Sequence, residues 1–287
     1  AGMACATTAA ERGHDVTLFE ASDRIGGQFN IARQIPGKDD FNETLRYFGK
    51  RIERTGVKLR LNTRADAGTL KAEGFDHVVL ATGIVPRKPP IPGIESDKVA
   101  TYLDIIEGRK VAGQSVAIIG AGGIGFDVGE FLTHAHDERS EAERFNAEWG
   151  IDPSYANRGG LKPAVDEKAP RRVFLLQRKE SKVGDGLAKT TGWIRRTLLK
   201  KRGVTMIPGV SYEKIDDAGL HIKVNGEAKT LPVDTIVVCA GQESRRELQA
   251  PLQAAGIPVT LIGGADLAAE LDAKRAIDQG TRVAAAL

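Results

Sequence analysis

Three glycines and a pair of basic residues are the groups best placed to do chemistry in this 287-residue chain. Gly120, Gly122 and Gly125 follow the apolar run of residues 116–119 and open a stretch of helical character. In that setting G-x-G-x-x-G binds a dinucleotide. The first glycine permits a tight turn, the second lets the backbone approach a pyrophosphate, and the third allows helix and strand to pack closely. The N–H groups at the helix start and the positive end of its dipole then hold the anion. The other reading is a purely structural glycine turn. The end of the next strand decides which dinucleotide fits: an acid there suits the ribose hydroxyls of NAD, and a basic group suits a 2′-phosphate. After residues 173–177 the chain offers Arg178 and Lys179, with Lys182 close behind. A guanidinium beside an ammonium matches a dianionic phosphate, which points to NADPH; the bland alternative is a solvated basic turn.

The chain opens on what reads as a second site of the same kind. Gly2 stands where a third glycine would, leading into an alanine-rich helix, and Glu20 follows 18 positions later at a strand end. That is close to the spacing that puts an acid on a ribose hydroxyl, although Glu20 alone could be an ordinary surface acid. The strand and the two glycines expected before Gly2 are not in the sequence, so residues 1–20 read as a cut through the motif. Gly26 and Gly27 allow a loop to run tightly past a ligand.

The elements that position these residues are short apolar runs alternating with helical stretches. Strands are expected at 15–19, 57–61, 77–81, 115–119, 173–177, 204–207, 235–239 and 259–262, several of them continuous Val/Ile/Leu runs of the kind buried on both faces of a parallel sheet. Helices read best at 39–54, where Phe41, Leu45, Phe48 and Ile52 share a face, and at 190–202. The fold class is α/β, with two Rossmann-like units. A Pro-rich turn at 86–92, followed by Gly93, marks a crossing between domains. Residues 133–172 are polar, carry Pro and Gly, and show little periodicity; they are expected to be a surface insertion.

Composition excludes several function classes. With 41% hydrophobic and 28% charged residues the balance is that of a soluble globular protein. The 41 basic and 38 acidic residues are spread along the chain, so no basic stripe suits nucleic acid. No run of about 18 apolar residues suggests a membrane span. Cys5 and Cys239 lie far apart without a C-x-x-C, which argues against a disulfide framework, a thiol redox pair or a zinc site, and a reducing cytoplasm is the expected setting. His134 and His136 have i, i+2 spacing, wrong for one helix face, and His14, His77 and His221 are isolated, so no metal site is expected.

Taken in order, these marks resemble the two-dinucleotide-binding flavoprotein reductases, in which an NAD(P)H domain interrupts an FAD domain. Glu20 with Gly26-Gly27 resembles the FAD ribose acid and its glycine loop. Residues 75–83 and 234–241 resemble the two crossings between domains. Residues 261–266, before a helix containing Ala273 and Ala276, resemble the late motif whose acid reaches the flavin ribityl chain, although Ala265 here separates Gly264 from Asp266. The expected boundaries are 1–107 and 234–287 for the FAD domain and 108–233 for the NADPH domain.

Finer likeness is spread over residues 26–38, 81–86, 120–127, 148–152, 189–193, 207–211 and 262–264, and includes Trp149 and residues 159–161 of the insertion. These are similar to the C-terminal half of bacterial NADPH-dependent 2,4-dienoyl-CoA reductases. The resemblance implies an N-terminal barrel with FMN and the acyl-CoA site, a 4Fe-4S cluster, and this half as the electron input; neither the barrel nor the cluster cysteines are in this sequence. It implies that Ala1 and Gly2 lie against the FAD pyrophosphate and Glu20 on its ribose. Gly27 is implied in the glycine loop at FAD, Gln28 and Lys38 near its polar chain, Ala65 at the adenine, and Asp266 at the ribityl chain. Ala81 and Gly83 belong to the same FAD set. Gly120, Gly122, Gly125, Arg178, Lys179 and Gly241 are implied for NADPH. No catalytic acid or base is expected from this segment, since nicotinamide and flavin supply the hydride chemistry. Two other readings are an ADP-binding structural module of a related amine dehydrogenase and a stand-alone NADPH-dependent ferredoxin-type reductase.

Overall fold

The computed structural model describes residues 1–135, 138–166, 168–269 and 272–287; His136 lies outside them. The chain forms two compact units, Ala1–Arg33, Asp39–Arg87 and Gly241–Leu287 in the first, and Gln34–Lys38 and Lys88–Ala240 in the second. Residues 1–87 supply α1 (Gly2–Glu11), β1 (Thr17–Phe19), α2 (Phe29–Ala32), α3 (Phe41–Thr55), β2 (Lys58–Arg60), α4 (Ala67–Ala72), β3 (Val78–Leu80) and β4 (Ile84–Pro86). The second unit then runs through β5 (Val99–Thr101), α5 (Tyr102–Ile106), β6 (Ser115–Ile119), α6 (Gly123–Thr133), α7 (Glu141–Trp149), β7 (Arg172–Leu176) and α8 (Gly192–Lys201). It closes with β8 (Thr205–Ile207), β9 (Val210–Asp216), β10 (Gly219–Val224), β11 (Glu227–Leu231) and β12 (Thr235–Val238). The chain returns to the first unit with β13 (Gln242–Ser244), α9 (Gln249–Ala254), β14 (Val259–Leu261) and α10 (Ala273–Ala286).

In the first unit β1 pairs parallel with β2, β3 parallel with β14, and β4 antiparallel with β13. Helix α1 is built of small residues, and Ala4, Cys5, Ala6 and Ala9 are buried. That composition lets it approach α10 very closely: a Cβ at Gly280 would lie 2.5 Å from the carbonyl oxygen of Ala1. Helix α3 buries Phe48 and Ile52 and ends on Gly56 in the left-handed conformation, the usual C-terminal stop.

The second unit is a five-stranded parallel sheet in the order β5-β12-β6-β7-β8. Val116 to Ile119 in β6, Leu175 and Leu176 in β7, and Ile236 and Val237 in β12 are all within 1% of fully buried, as both-faced burial requires. Because β12 is hydrogen-bonded between β5 and β6, residues 88–107 and 234–240 belong to this unit. The expected boundaries at 107/108 and 233/234 therefore move to 87/88 and 240/241. An antiparallel sheet, β9-β10-β11, lies over the core: Ile215, Leu220, Ile222 and Leu231 cluster with Ala117, Ile119, Phe174 and Leu176.

The insertion is largely exposed and contains a helix that its weak periodicity does not announce. Ser140 and Glu143 form a capping box that starts α7, and Gly150 ends it in the left-handed conformation. The Glu148 carboxylate accepts two bonds from Arg202, at 2.9 and 3.0 Å, with both side chains only 7% exposed. Trp149 lies beneath the Lys201 ammonium, 5.3 Å from ring centroid to nitrogen. Among the described residues no helix is long and apolar enough to cross a membrane.

Candidate functional site

The glycine turn of the second unit sits at the carboxyl end of β6, inside the parallel sheet. Gly120 has φ 107°, and a Cβ there would lie 2.3 Å from the Cys239 carbonyl oxygen. A Cβ at Gly125 would lie 1.9 Å from the Gly120 carbonyl oxygen, so these two glycines bring α6 down onto the strand. At Gly122 a Cβ would meet nothing within 4 Å, leaving the backbone open on that side. Helix α6 begins at Gly122 with no side-chain cap and no acid in its first turn. Its first N–H groups therefore have room for an anion. Asp66, Thr101, Ser140 and Asp272 accept from the first turns of α4, α5, α7 and α10, whereas α1, α2, α8 and α9 start, like α6, without a side-chain cap or an acid in the first turn. Gly125→Ala is expected to weaken dinucleotide binding at least about tenfold, because the backbone must shift under the cradle; titration with NADPH and NADH measures it.

The basic turn stands beside this cradle. Gly120 N–H donates to Leu176 O at 3.0 Å, which places the end of β7 next to the glycine turn. Arg178, Lys179 and Lys182 are exposed, and none of them makes an ion pair among the described residues. The turn is tied back through Gln177, whose side-chain amide donates to the carbonyls of Lys179 and Ser181 and whose oxygen accepts from Gly184 N–H. Tyr212 lies close enough for Arg178 to act on it, and burial raises its phenol pKa well above the ordinary value.

In the first unit the expected cofactor residues converge from several elements. A Cβ at Gly2 would lie 3.0 Å from that of Ala81, one at Gly263 2.7 Å from that of Ala1, and one at Gly264 3.2 Å from the Gly83 carbonyl carbon. Helix α1, like α6, starts without a side-chain cap or an acid in its first turn. Glu20 follows β1 directly. Its carboxylate accepts from the Ser22 N–H and hydroxyl, both at 2.8 Å, and its carbonyl accepts from Thr63 N–H, two residues before Ala65. Asp266 ends the turn of residues 263–265 and accepts from Gln279 at 2.7 Å, while the same Gln279 accepts from Gly263 N–H. The Oε1 of Gln242 in β13 is buried without a partner among the described residues, an acceptor consistent with a ligand beside that strand.

A profile of the pyridine nucleotide-disulphide oxidoreductases matches residues 1–273. The chain belongs to that family. It is thus a flavoprotein oxidoreductase that binds FAD and NAD(P)H. A metal reductase of Desulforamulus reducens is 31% identical over 92% of this chain and 39% of its own length. A cinnamate reductase of Clostridium sporogenes is 28% identical over 93% of this chain and 35% of its own. Among solved structures, a 2-naphthoyl-CoA reductase in complex with 2-naphthoyl-CoA superposes with a TM-score of 0.81 at 29% identity, covering 99% of this chain and 38% of that one. The chain thus spans less than two fifths of the length of these relatives.

Within this oxidoreductase, two expected residues fall in the opposite unit from their assignment. Lys38, expected near FAD, belongs to the unit that carries Gly120, and its ammonium bonds both oxygens of Asp127 at 2.7 Å. Arg195 also bonds Asp127, and Glu130 beside it has its pKa raised by burial. Gly241, expected at NADPH, belongs to the first unit, where its carbonyl accepts from Arg87 N–H at 3.0 Å. Gly27 and Gln28 lie on the loop into α2, with Gly27 exposed and in the left-handed region. Residues not expected from the sequence include Gln279 and Gly280 on α10, one turn beyond the Ala276 that the late motif suggested. A glutamine and glycine in the middle of a helical run were the available signal. Both cysteines are free, and burial raises both thiols, so no thiol pair adds to the site. No metal-ligating cluster of three exists among the described residues.

Proposed function

We propose that this chain is the electron-input part of an NADPH-dependent 2,4-dienoyl-CoA reductase. The observation that carries the NADPH part is the exposed turn with Arg178, Lys179 and Lys182, free of ion pairs among the described residues and adjoining the uncapped start of α6. Gly120, Gly122 and Gly125 hold a pyrophosphate, and the basic turn holds a 2′-phosphate beside it. In the first unit Ala1 and Gly2 accommodate the FAD pyrophosphate at α1, Glu20 binds its ribose, Ala65 faces the adenine, and Asp266, fixed by Gln279, binds the ribityl chain. Bound there, the nicotinamide and the flavin supply hydride chemistry, and the protein supplies position and exclusion of water.

The substrate end of the proposal rests on relatives. Reductases of cinnamate and of 2-naphthoyl-CoA match this chain over nearly its whole length and extend well past it. An acyl-CoA site, an FMN and a 4Fe-4S cluster are accordingly proposed for a part of the enzyme outside this chain, with 2,4-dienoyl-CoA of fatty-acid β-oxidation as the acceptor.

Anaerobic titration of the whole protein tests this. NADPH is expected to bleach the flavin absorbance faster than NADH, and added 2,4-dienoyl-CoA is expected to restore it. Bleaching by NADPH without reoxidation by the dienoyl-CoA overturns the substrate assignment. Bleaching only by an amine substrate overturns the electron-input role.

A further inference from the structure

We infer that Gln177 sets the preference for NADPH over NADH, by holding the turn that carries Arg178 and Lys179 in its phosphate-binding form. This rests on the NADPH reading above and goes beyond it in naming a residue that need not touch the nucleotide. Gln177 directly follows β7, where a Rossmann unit for NAD places a carboxylate on the ribose hydroxyls. An amide there does what a carboxylate cannot. Its Nε2 donates to Ser181 O at 2.8 Å and to Lys179 O at 3.1 Å, and its Oε1 accepts from Gly184 N–H at 3.1 Å. One half-buried side chain thus fastens the turn at its start, middle and end. The backbone of Gln177 is itself fixed, its N–H to Ile207 O at 2.9 Å and its carbonyl from Val210 N–H at 3.0 Å. Gly209 N–H adds a second bond to Lys179 O at 3.0 Å.

The turn needs that fastening. Arg178, Lys179 and Lys182 fall within five residues, with Glu180 the one acid among them, and no ion pair from any of the three basic groups restrains it among the described residues. Like charges at such spacing favour an open turn unless something holds the backbone. A carboxylate at 177 accepts only, so it would face the carbonyls of Lys179 and Ser181 with no proton to offer. It would also set a negative charge beside the 2′-phosphate. The amide therefore favours NADPH twice, by closing the turn and by being neutral. Gln177 is a positioning residue that acts through Arg178 and Lys179.

The test is calorimetric titration of the full chain with adenosine 2′,5′-bisphosphate and with AMP, which needs no flavin turnover. Wild type is expected to favour the bisphosphate. Gln177→Ala is expected to weaken the bisphosphate about tenfold, as losing one or two net hydrogen bonds implies, and to leave AMP within about twofold. Gln177→Glu keeps size and shape, so it guards against a failure of the alanine variant to fold, and it is expected to lower the preference at least as far. In steady state KM for NADPH rises by the same factor while kcat and the KM for NADH hold. Equal loss for both nucleotides, or no loss, overturns the inference. Arg178→Ala separates the two claims. If it abolishes the bisphosphate preference while both Gln177 variants keep it, the Gln177 role alone fails; if it leaves the preference intact, the phosphate reading fails and takes the Gln177 role with it.

Discussion

Replacing Arg178 by alanine is expected to raise the Kd for NADPH about 10- to 100-fold and to leave NADH within about twofold. The magnitude is that of one lost charge-assisted contact, about 1.5–3 kcal/mol, made only to the 2′-phosphate. The guanidinium is exposed and free of ion pairs among the described residues, so its removal opens no cavity and strands no partner. The loss should therefore appear in binding and not in stability. Lys179→Ala is expected to act in the same direction with a smaller factor, because an ammonium meets a phosphate as a point charge and not as a fork. Direct titration with both nucleotides reads the difference; matching losses for NADPH and NADH would rule out a phosphate contact at Arg178.

Glu148→Ala is expected to destabilise the second unit by about 3–5 kcal/mol, the cost of leaving a buried cation without its counter-charge. Glu148 and Arg202 are both 7% exposed and make two parallel bonds, so neither can turn to water when the other is removed. The pair joins the insertion helix α7 to the residue that follows α8, and its loss should loosen residues 141–165 first. Denaturant unfolding gives the magnitude, and amide exchange locates it. A double variant, Glu148→Leu with Arg202→Leu, should recover most of the loss, since two apolar groups of similar volume remove the stranded charge. A loss for Glu148→Ala under about 1 kcal/mol, the range of exposed pairs, would mean that the ion pair is solvated in solution.

Much of the second unit was legible because its strands are extreme cases. Residues 115–119 are predicted and observed as a strand with identical bounds, since a continuous Val/Ile run flanked by Gly is compatible with little else. The parallel strands β7, β8 and β12 follow for the same reason, within about two residues at each end. The sheet β9-β10-β11 was not legible. Its strands carry Lys, Glu and Asp on the solvent face, while Val210, Ile215, Leu220, Ile222 and Leu231 turn inward. A half-polar strand with a bulge at His221/Ile222 loses the simple alternation that a reader of sequence needs. Helix α7 carries local start and stop signals, the Ser140–Glu143 capping box and Gly150, which the polar composition of the segment obscures; distant groups also hold it, a buried arginine 54 positions away and a lysine over Trp149.

The sequence by itself determined which local patterns this protein carries. Gly120-x-Gly122-x-x-Gly125, the basic pair after β7, and Glu20 with Gly26-Gly27 are short-range patterns whose meaning depends on neighbours a few residues away, and those neighbours were visible. What only the tertiary structure decided is which residues keep company over long separations. The β12 strand sits between β5 and β6, Lys38 belongs to Asp127, Gly241 lies in the first unit, and Gln177 holds its turn from three sides. Parallel strand order and ion pairing depend on loop closure and on the burial of charges, and neither leaves a periodic trace in the chain.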